Sequence, residues 1–174
     1  MNQQYPRGLG DTNILIHLER LPAEWLPSEL LTSTVTLAEL SAGIHSADDE
    51  AERGRRIARL QRVEATFQPL PFDAEAARQY GVIAGVVISM GRKPRRRVAD
   101  LMIASVAAAN RLPLFTTNPD DFAGLETVLP VVPVPVPPPD TRAPAENGAK
   151  SADADSGMSV DGSPQEPPGS APTS

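Results

Sequence analysis

The chain has 174 residues, with 16 lysine and arginine residues against 22 aspartate and glutamate residues, for a net charge of −6. It contains no cysteine, which excludes disulfides, thiolate nucleophiles and cysteine-ligated zinc or iron–sulfur sites. The sequence has no apolar run near the roughly 20 residues that cross a bilayer and no signal-peptide core at residues 1–7, so we expect a cytoplasmic protein.

Two parts of the chain differ sharply in composition. Residues 135–174 hold nine of the 19 prolines, no aromatic residue, and six acidic against two basic residues. Such a segment cannot bury enough apolar surface to offset its chain entropy, which predicts an acidic disordered tail. Residues 1–134 are predicted to be the folded domain. Their net charge is only −2, so the acidity of the whole chain says little against a polyanionic substrate.

The first elements read as strand, helix, strand and helix. A short apolar segment from Leu9 predicts a buried strand that stops near Asp11 and passes into a helix. The β-branched run 31–35 predicts a second strand. Thr36 and Glu39 have the spacing of a capping box, so we expect a helix that begins at Thr36 with Glu39 in its first turn.

The later elements continue the alternation. Proline at 69 and 71 leaves residues 67–72 an edge strand at best. The remaining predicted elements, in chain order, are a charged helix at 48–66, a helix capped by Asp73 that frays near Gly91, an alanine-rich helix at 98–110, a strand at 114–117, a helical turn after Asn118 and a last strand at 131–132. Strands alternating with helices predict an α/β fold whose mostly parallel sheet is covered on both faces.

Four acidic residues fall where predicted strands end or helices begin: Asp11, Glu39, Asp100 and Asp121. Ligands of such folds bind at the carboxyl edge of the sheet, where these positions meet. Acids at helix starts often serve only as caps or complement the helix dipole, so each position alone is weak evidence. Asp11 and Asp100, however, lie in apolar surroundings, and a buried carboxylate needs a partner.

A divalent cation is the partner that these residue types favour. Carboxylates about 4 Å apart repel each other by roughly 4 kcal/mol per pair at an effective dielectric of 20. A hard cation removes that repulsion. An all-oxygen ligand set without cysteine favours Mg²⁺ or Mn²⁺ over zinc.

Four ordered blocks resemble the signatures of PIN-domain nucleases, and in particular the VapC toxins of bacterial type II toxin–antitoxin pairs. The blocks are Gly10-Asp11-Thr12-Asn13-Ile14-Leu15-Ile16, Val35-Thr36-Leu37-Ala38-Glu39-Leu40 with Gly43, Val98-Ala99-Asp100-Leu101-Met102-Ile103-Ala104, and Phe115-Thr116-Thr117-Asn118 with Asp121-Phe122 and Gly124-Leu125. One Asp-Thr-Asn would be weak evidence. Four blocks in the right order and spacing, from about Leu9 to Val134, are strong.

The resemblance implies a three-layer α/β/α fold and a Mg²⁺-dependent endoribonuclease. It implies that Asp11, Glu39 and Asp100 are three members of the catalytic and metal site. The fourth member varies between the positions of Asn118 and Asp121, and we favour Asp121 with Asn118 assisting. Thr12 and Asn13 would line the same pocket. The resemblance also implies an RNA substrate, a homodimer and a cognate VapB-like antitoxin, with no role for a membrane.

The sequence departs from the family pattern in three places. The lead-in to Asp11, residues 7–10, is poor in β-formers and predicts a short first strand. Thr117 stands where an arginine is common, which alters the expected phosphate contact. The proline-rich tail is not part of the pattern.

A basic block precedes Asp100 and has two interpretations. Its side chains could bind RNA phosphates, and a solvated loop is an equally good explanation; its members are Arg92, Lys93, Arg95, Arg96 and Arg97.

Other functional classes fit the acidic set less well. A haloacid-dehalogenase-type phosphatase would need an aspartate where Asn13 stands, and a receiver domain would not require Glu39. A catalytically silent PIN-like module that binds a protein is the remaining alternative. The complete acidic set argues against it, and cleavage of RNA with and without EDTA would decide.

Overall fold

The computed structural model describes residues 4–94 and 97–136. These belong to one compact unit, Met1–Pro139. The predicted tail lies outside the described residues from residue 137 onward, and the extent of the folded domain stays a prediction. The strands are β1 (Arg7–Gly10), β2 (Glu29–Leu31), β3 (Leu114–Thr116) and β4 (Val131–Pro133), and the α-helices are α1 (Thr12–His17), α2 (Thr34–Gly43), α3 (Glu50–Thr66), α4 (Ala74–Ser89) and α5 (Val98–Ala109).

The described strands form one parallel sheet in the order β2-β1-β3-β4. Leu114 sits in register between Leu9 on one side and Val131 on the other. Because β1 and β3 are the two central strands and run the same way, the residues that follow them emerge side by side at the carboxyl edge.

Apolar side chains cover both faces of the sheet. Successive residues of a strand point to opposite faces, and Leu114 and Phe115 accordingly belong to two different core clusters. The Leu114 cluster contains the inward faces of α4 and α5, and the Phe115 cluster contains side chains of α1 and α3. The result is the three-layer α/β/α arrangement that the sequence predicted.

A close contact explains the glycine in the first strand. A Cβ atom on Gly8 would clash with the Phe115 ring, which packs over the backbone at this point. Phe115 is itself fully buried. The lead-in to Asp11 is therefore poor in β-formers because the neighbouring strand fills the space of a side chain.

The predicted boundary between β2 and α2 was wrong. The strand ends at Leu31 and the helix begins at Thr34, with Ser33 as its N-cap: the Ser33 Oγ accepts a hydrogen bond from the Thr36 amide at 3.0 Å. Thr36 is therefore inside the first turn, and Glu39 lies in the second turn instead of the first. The β-branched run favoured a strand, but the Ser33 cap and packing in the fold override local propensity.

The segment 67–72 contributes one bridge rather than a strand. Leu70 forms an isolated parallel bridge with Ser33. The Leu70 amide donates a hydrogen bond to the Thr32 carbonyl, and the Leu70 carbonyl accepts one from the Thr34 amide, both at 2.9 Å. Among the described residues, no helix is both long and apolar enough to span a membrane.

Candidate active site

Asp11 connects β1 to α1 and is almost fully buried. Its Oδ1 accepts the Ile14 amide at 2.9 Å, which caps α1, and its Oδ2 accepts the Thr116 hydroxyl at 2.5 Å. The Asp11 amide continues the sheet by donating to the Phe115 carbonyl at 3.0 Å. Burial raises the pKa of Asp11, although the hydrogen bonds from Thr116 and from the backbone oppose that rise.

Glu39 approaches the site from α2. The hydroxyl of Thr12, the first residue of α1, donates to the Glu39 Oε2 at 2.5 Å. The negative charge of Glu39 contributes to the raised pKa of Asp11. The start of α1 and the second turn of α2 are thus held together by one hydrogen bond at the edge of the site.

Asp100 lies in the first turn of α5, and its pKa reports the charges around it. Its pKa is raised to about 6, first by partial burial and then by the charges of Asp121, Glu39 and Asp11. Arg97 acts in the opposite direction. Asp121, Glu39 and Asp11 are therefore all near enough to Asp100 to disfavour its charge, and together they outweigh Arg97.

Asp121 belongs to a short 3₁₀ turn, Pro119–Phe122, that follows β3. The Asn118 side-chain amide donates to the Asp121 Oδ2. Arg97 Nη2 lies 3.5 Å from the Asp121 Oδ1, and Arg97 Nη1 donates to the carbonyls of Asp120 and Asp121 at 2.9 Å each. The turn that carries Asp121 is therefore held by Asn118 on one side and Arg97 on the other.

The four acids share one electrostatic environment but do not form a completed coordination shell. Across residues 4–94 and 97–136, no three histidine, aspartate or glutamate side chains lie close enough together to hold a metal ion. Glu39 and Asp121 are engaged with Thr12 and with Asn118 and Arg97. The donors suit a hard divalent cation because they are all oxygen, and because their negative charges add to burial in raising the pKa of Asp100. The assignment of catalytic and metal roles stays a prediction.

The remaining predicted site residues are Thr12, Asn13 and the basic block, and some of them contact the acidic site. Thr12 contacts Glu39, and the Asn13 backbone amide helps to hold the charge of Asp11. Arg92, Lys93 and Arg97 line a pocket together with Asp121. Arg95 and Arg96 lie outside the described residues.

Sequence reasoning missed the roles of Thr116 and Arg97 in the site. Thr116 is 105 positions from Asp11 in the chain and fully buried beside it. A hydroxyl at the end of the central strand next to Asp11 was the available signal. Arg97 was considered only for RNA, although it is the N-cap residue of α5, where a cation opposes the helix dipole. That unfavourable position was a sign that the side chain acts elsewhere.

Comparison with known proteins decides the family. The PIN domain family matches residues 9–126, most of the chain. The chain belongs to the PIN-domain family. PIN domains are nucleases, and the site described above occupies the segments in which the four PIN-like sequence blocks fall.

Among the relatives of this PIN domain, Ribonuclease VapC5 of Mycobacterium tuberculosis is 38% identical over 122 residues, which cover 68% of this chain and 87% of that protein. Ribonuclease VapC1 of Rickettsia felis is 29% identical over 122 residues, covering 67% of this chain and 88% of that protein. A solved member of the VapBC family of toxin–antitoxin systems, VapBC-5 from Mycobacterium tuberculosis, matches with a TM-score of 0.65 and 36% identity, over 75% of this chain and 99% of that one. These matches confirm the predicted resemblance to VapC toxins and the predicted fold.

Proposed function

We propose that this PIN domain is a Mg²⁺-dependent endoribonuclease and the toxin of a type II toxin–antitoxin pair. The observation that carries the proposal is the raised pKa of Asp100: partial burial is the largest cause, and the charges of three carboxylates from separate segments, Asp121, Glu39 and Asp11, add to it more than Arg97 offsets. Such uncompensated repulsion is costly in a purely structural cluster and is relieved by a divalent cation. The VapC relatives support RNA as the substrate.

In this proposal Asp11 and Asp100 hold the ion, with Glu39 and Asp121 beside them. When bound, Mg²⁺ would polarise the phosphoryl oxygens and lower the pKa of a water molecule. Glu39 or Asp121 would orient that water and accept its proton. The water oxygen would bond to phosphorus as the bond to the 3′ oxygen breaks, leaving a 5′-phosphate on one product and a 3′-hydroxyl on the other.

Thr116 and Arg97 have positioning roles in the same scheme. Thr116 fixes one oxygen of Asp11 and lowers the pKa that burial of this carboxylate raises. Arg97 holds the turn that presents Asp121. Neither residue touches the reacting atoms in this mechanism.

The test is cleavage of a single-stranded RNA of mixed sequence by the full chain. We expect cleavage with Mg²⁺, none with EDTA, and 5′-phosphate ends on the products. A 2′,3′-cyclic phosphate would contradict the use of water as nucleophile. A folded chain that cleaves no RNA with either Mg²⁺ or Mn²⁺ would favour the alternative, a catalytically silent module that binds a protein.

The antitoxin is proposed to lie along α1 and α3. A cleft of about 260 Å³ contains Glu39, Arg56 and Arg59 in its lining, and an apolar pocket of about 180 Å³ shares Ile16 and Arg59 with it. Together they form a groove that runs from the acidic site over apolar side chains. The VapBC complexes among the structural neighbours support a partner of the VapB kind.

Co-purification tests that placement. The product of the adjacent open reading frame should co-purify with the chain and suppress its RNA cleavage. Arg59→Glu should weaken the complex, whereas Arg55→Glu, on the same helix and outside both linings, should not. Equal retention of the partner by both variants would contradict the groove. We also propose a cytoplasmic homodimer, which light scattering of the purified chain would test.

A further inference from the structure

A pocket of about 320 Å³ opens beside the acidic site, between the end of α4, the start of α5 and the loop after the 3₁₀ turn. Its floor is apolar and consists of Val87, Leu101 and Leu125; three cations, Arg92, Lys93 and Arg97, also line it. Asp121 belongs to both the pocket and the acidic site. We propose that this pocket binds one ribonucleotide of the RNA strand, next to the phosphate that is cut. The inference rests on the proposed function, which it deepens.

The floor of the pocket is part of the hydrophobic core. Leu101 and Leu125 are each 1% exposed and Val87 is 6% exposed, because all three belong to the core cluster under α4 and α5. A volume of about 320 Å³ lies at the small end of the range for ligand sites, roughly 300 to 1,000 Å³. That size suits one nucleotide rather than a longer stretch of strand. An apolar floor with a few convergent charges is the usual composition of a small-ligand site.

The two arginines are held in place before any ligand arrives. Arg92 donates to the Ala123 carbonyl at 3.0 Å, and Arg97 donates to the Asp120 and Asp121 carbonyls at 2.9 Å. A guanidinium has five N–H donors, so donors remain for a phosphate. Arg97 also occupies the N-cap of α5, where a cation opposes the dipole, which argues for a role other than helix stability.

Charge complementarity selects a nucleotide as the occupant. The acidic site repels phosphates unless an ion is bound, whereas three cations attract one in the adjoining pocket. An RNA strand could therefore place one phosphate at the carboxylates and the neighbouring phosphate at Arg92, Lys93 and Arg97. The intervening base would then lie on the apolar floor.

The loop geometry offers a way to fill the pocket. Ala123 lines it with φ −57° and ψ 130°, a conformation open to any residue, so Ala123→Leu adds a side chain without backbone strain. Gly124, by contrast, has φ +90° and packs under Met90, so it should not be changed. Ala77→Leu is a matched control, because Ala77 is exposed on α4 and does not line the pocket.

The first experiment measures binding without cleavage. The full chain is titrated with each of the four nucleoside 5′-monophosphates, with ribose 5-phosphate and with inorganic phosphate, and methyl NMR signals of Val87, Leu101 and Leu125 are followed. At least one nucleotide should shift these methyl signals, and neither base-free phosphate should. Ala123→Leu should weaken nucleotide binding about tenfold, the size of a lost contact in an apolar pocket, and Ala77→Leu should not. Unmoved methyl signals with all four nucleotides would overturn the proposal.

The second experiment tests the cations. Binding of a short single-stranded RNA is measured against salt concentration in the Asp11→Asn background, a residue outside the pocket lining. Lys93→Gln should reduce the slope of log affinity against log salt by about 0.7, the value for one phosphate contact to a single strand. Arg78→Gln removes a cation from α4 outside the pocket and should change the slope less. Equal slopes for Lys93→Gln and the parent would contradict the phosphate contact.

The two proposals fail in different ways. A chain that binds nucleotides through these methyl groups but never cleaves RNA would refute the nuclease and keep the pocket. A chain that cleaves RNA with the same KM and the same cut positions when Ala123→Leu fills the pocket would refute the pocket and keep the nuclease.

Discussion

The carboxyl edge of the sheet and the surface of α3 treat acidic side chains in opposite ways. On α3, Glu52 pairs with Arg55 and Arg56 at 2.8 Å, three and four residues along the helix, and hydrogen bonds from these arginines hold its pKa below the usual value. At the sheet edge, partial burial and the charges of three other acids raise the pKa of Asp100 to about 6. Acidic residues that stabilise a helix have a basic partner three or four residues away in the sequence. The acidic residues of the site instead repel one another, and a bound cation can relieve that repulsion.

The largest expected effect breaks the acidic site itself. Asp100→Ala and Asp11→Asn should each lower RNA cleavage at least about 100-fold, because each removes a proposed ligand of the ion. Asparagine is chosen at Asp11 because its side-chain amide can still cap α1 and form a hydrogen bond with Thr116. Circular dichroism should show both variants folded. Retained cleavage in a folded Asp100→Ala would refute the site.

Thr116→Val should lower the stability of the fold more than the substitutions at Asp100 and Glu52 described below. It keeps the shape of a buried side chain but removes the donor to the Asp11 Oδ2. The expected cost is about 2 kcal/mol in the free energy of unfolding, as for a hydrogen bond to a charged group. The pKa of Asp11 should also rise further. Denaturant unfolding measures the first effect, and Thr116→Ser, which keeps a hydroxyl, should recover most of it.

Asp100→Asn and Glu52→Gln should change stability in opposite directions without metal. Near pH 7.5, Asp100→Asn removes repulsion and should stabilise the chain by about 1 kcal/mol, after discounting the shift for solvent screening. Glu52→Gln removes two ion pairs on α3 and should lower the melting temperature slightly. Added Mg²⁺ should raise the melting temperature of the parent and not that of Asp100→Asn. Destabilisation by Asp100→Asn would remove the contrast between the two regions.

The pH dependence follows from the sign of the Asp100 shift. Its folded pKa, about 6, lies above the unfolded value of 3.8, so the folded chain binds the extra proton between these values. Metal-free stability from this group should therefore fall as the pH rises from about 4 to about 6 and stay low above that. Mg²⁺ competes with the same proton, so cleavage should decline as the pH falls below about 6. Thermal melts with and without Mg²⁺ across this range would show curves that converge at low pH.

The fold was largely predictable because its signals are local. Alternating apolar segments and turn residues predicted a mostly parallel sheet with helices on both faces, and Asp11 could be expected to be buried from its neighbours alone. The start of α2 was misplaced because Ser33, Thr34 and Thr36 can all cap a helix, and Ser33 is the one that does so. The glycine at position 8 was not predictable, because its reason is the Phe115 ring of a neighbouring strand.

The sequence predicted the acidic residues of the candidate site but not the residues that hold them in place. Each acid stands at a strand end or near a helix start, which sequence can identify. Thr116 acts on Asp11 across 105 positions, and Arg97 acts on the carbonyls of Asp120 and Asp121 across 23 and 24. Such contacts depend on which segments are neighbours in the fold, and a local sequence pattern does not predict that. The pocket beside Asp121 also joins residues from three separate segments.

A crystal of the full chain soaked in Mn²⁺ would test the central claim most directly, since anomalous scattering locates the ion without assumptions about the site. We expect an ion coordinated by oxygens of both Asp11 and Asp100, with Glu39 or Asp121 reaching it directly or through water. An ion bound elsewhere, or Asp11 and Asp100 too far apart to share one, would contradict the proposed metal site.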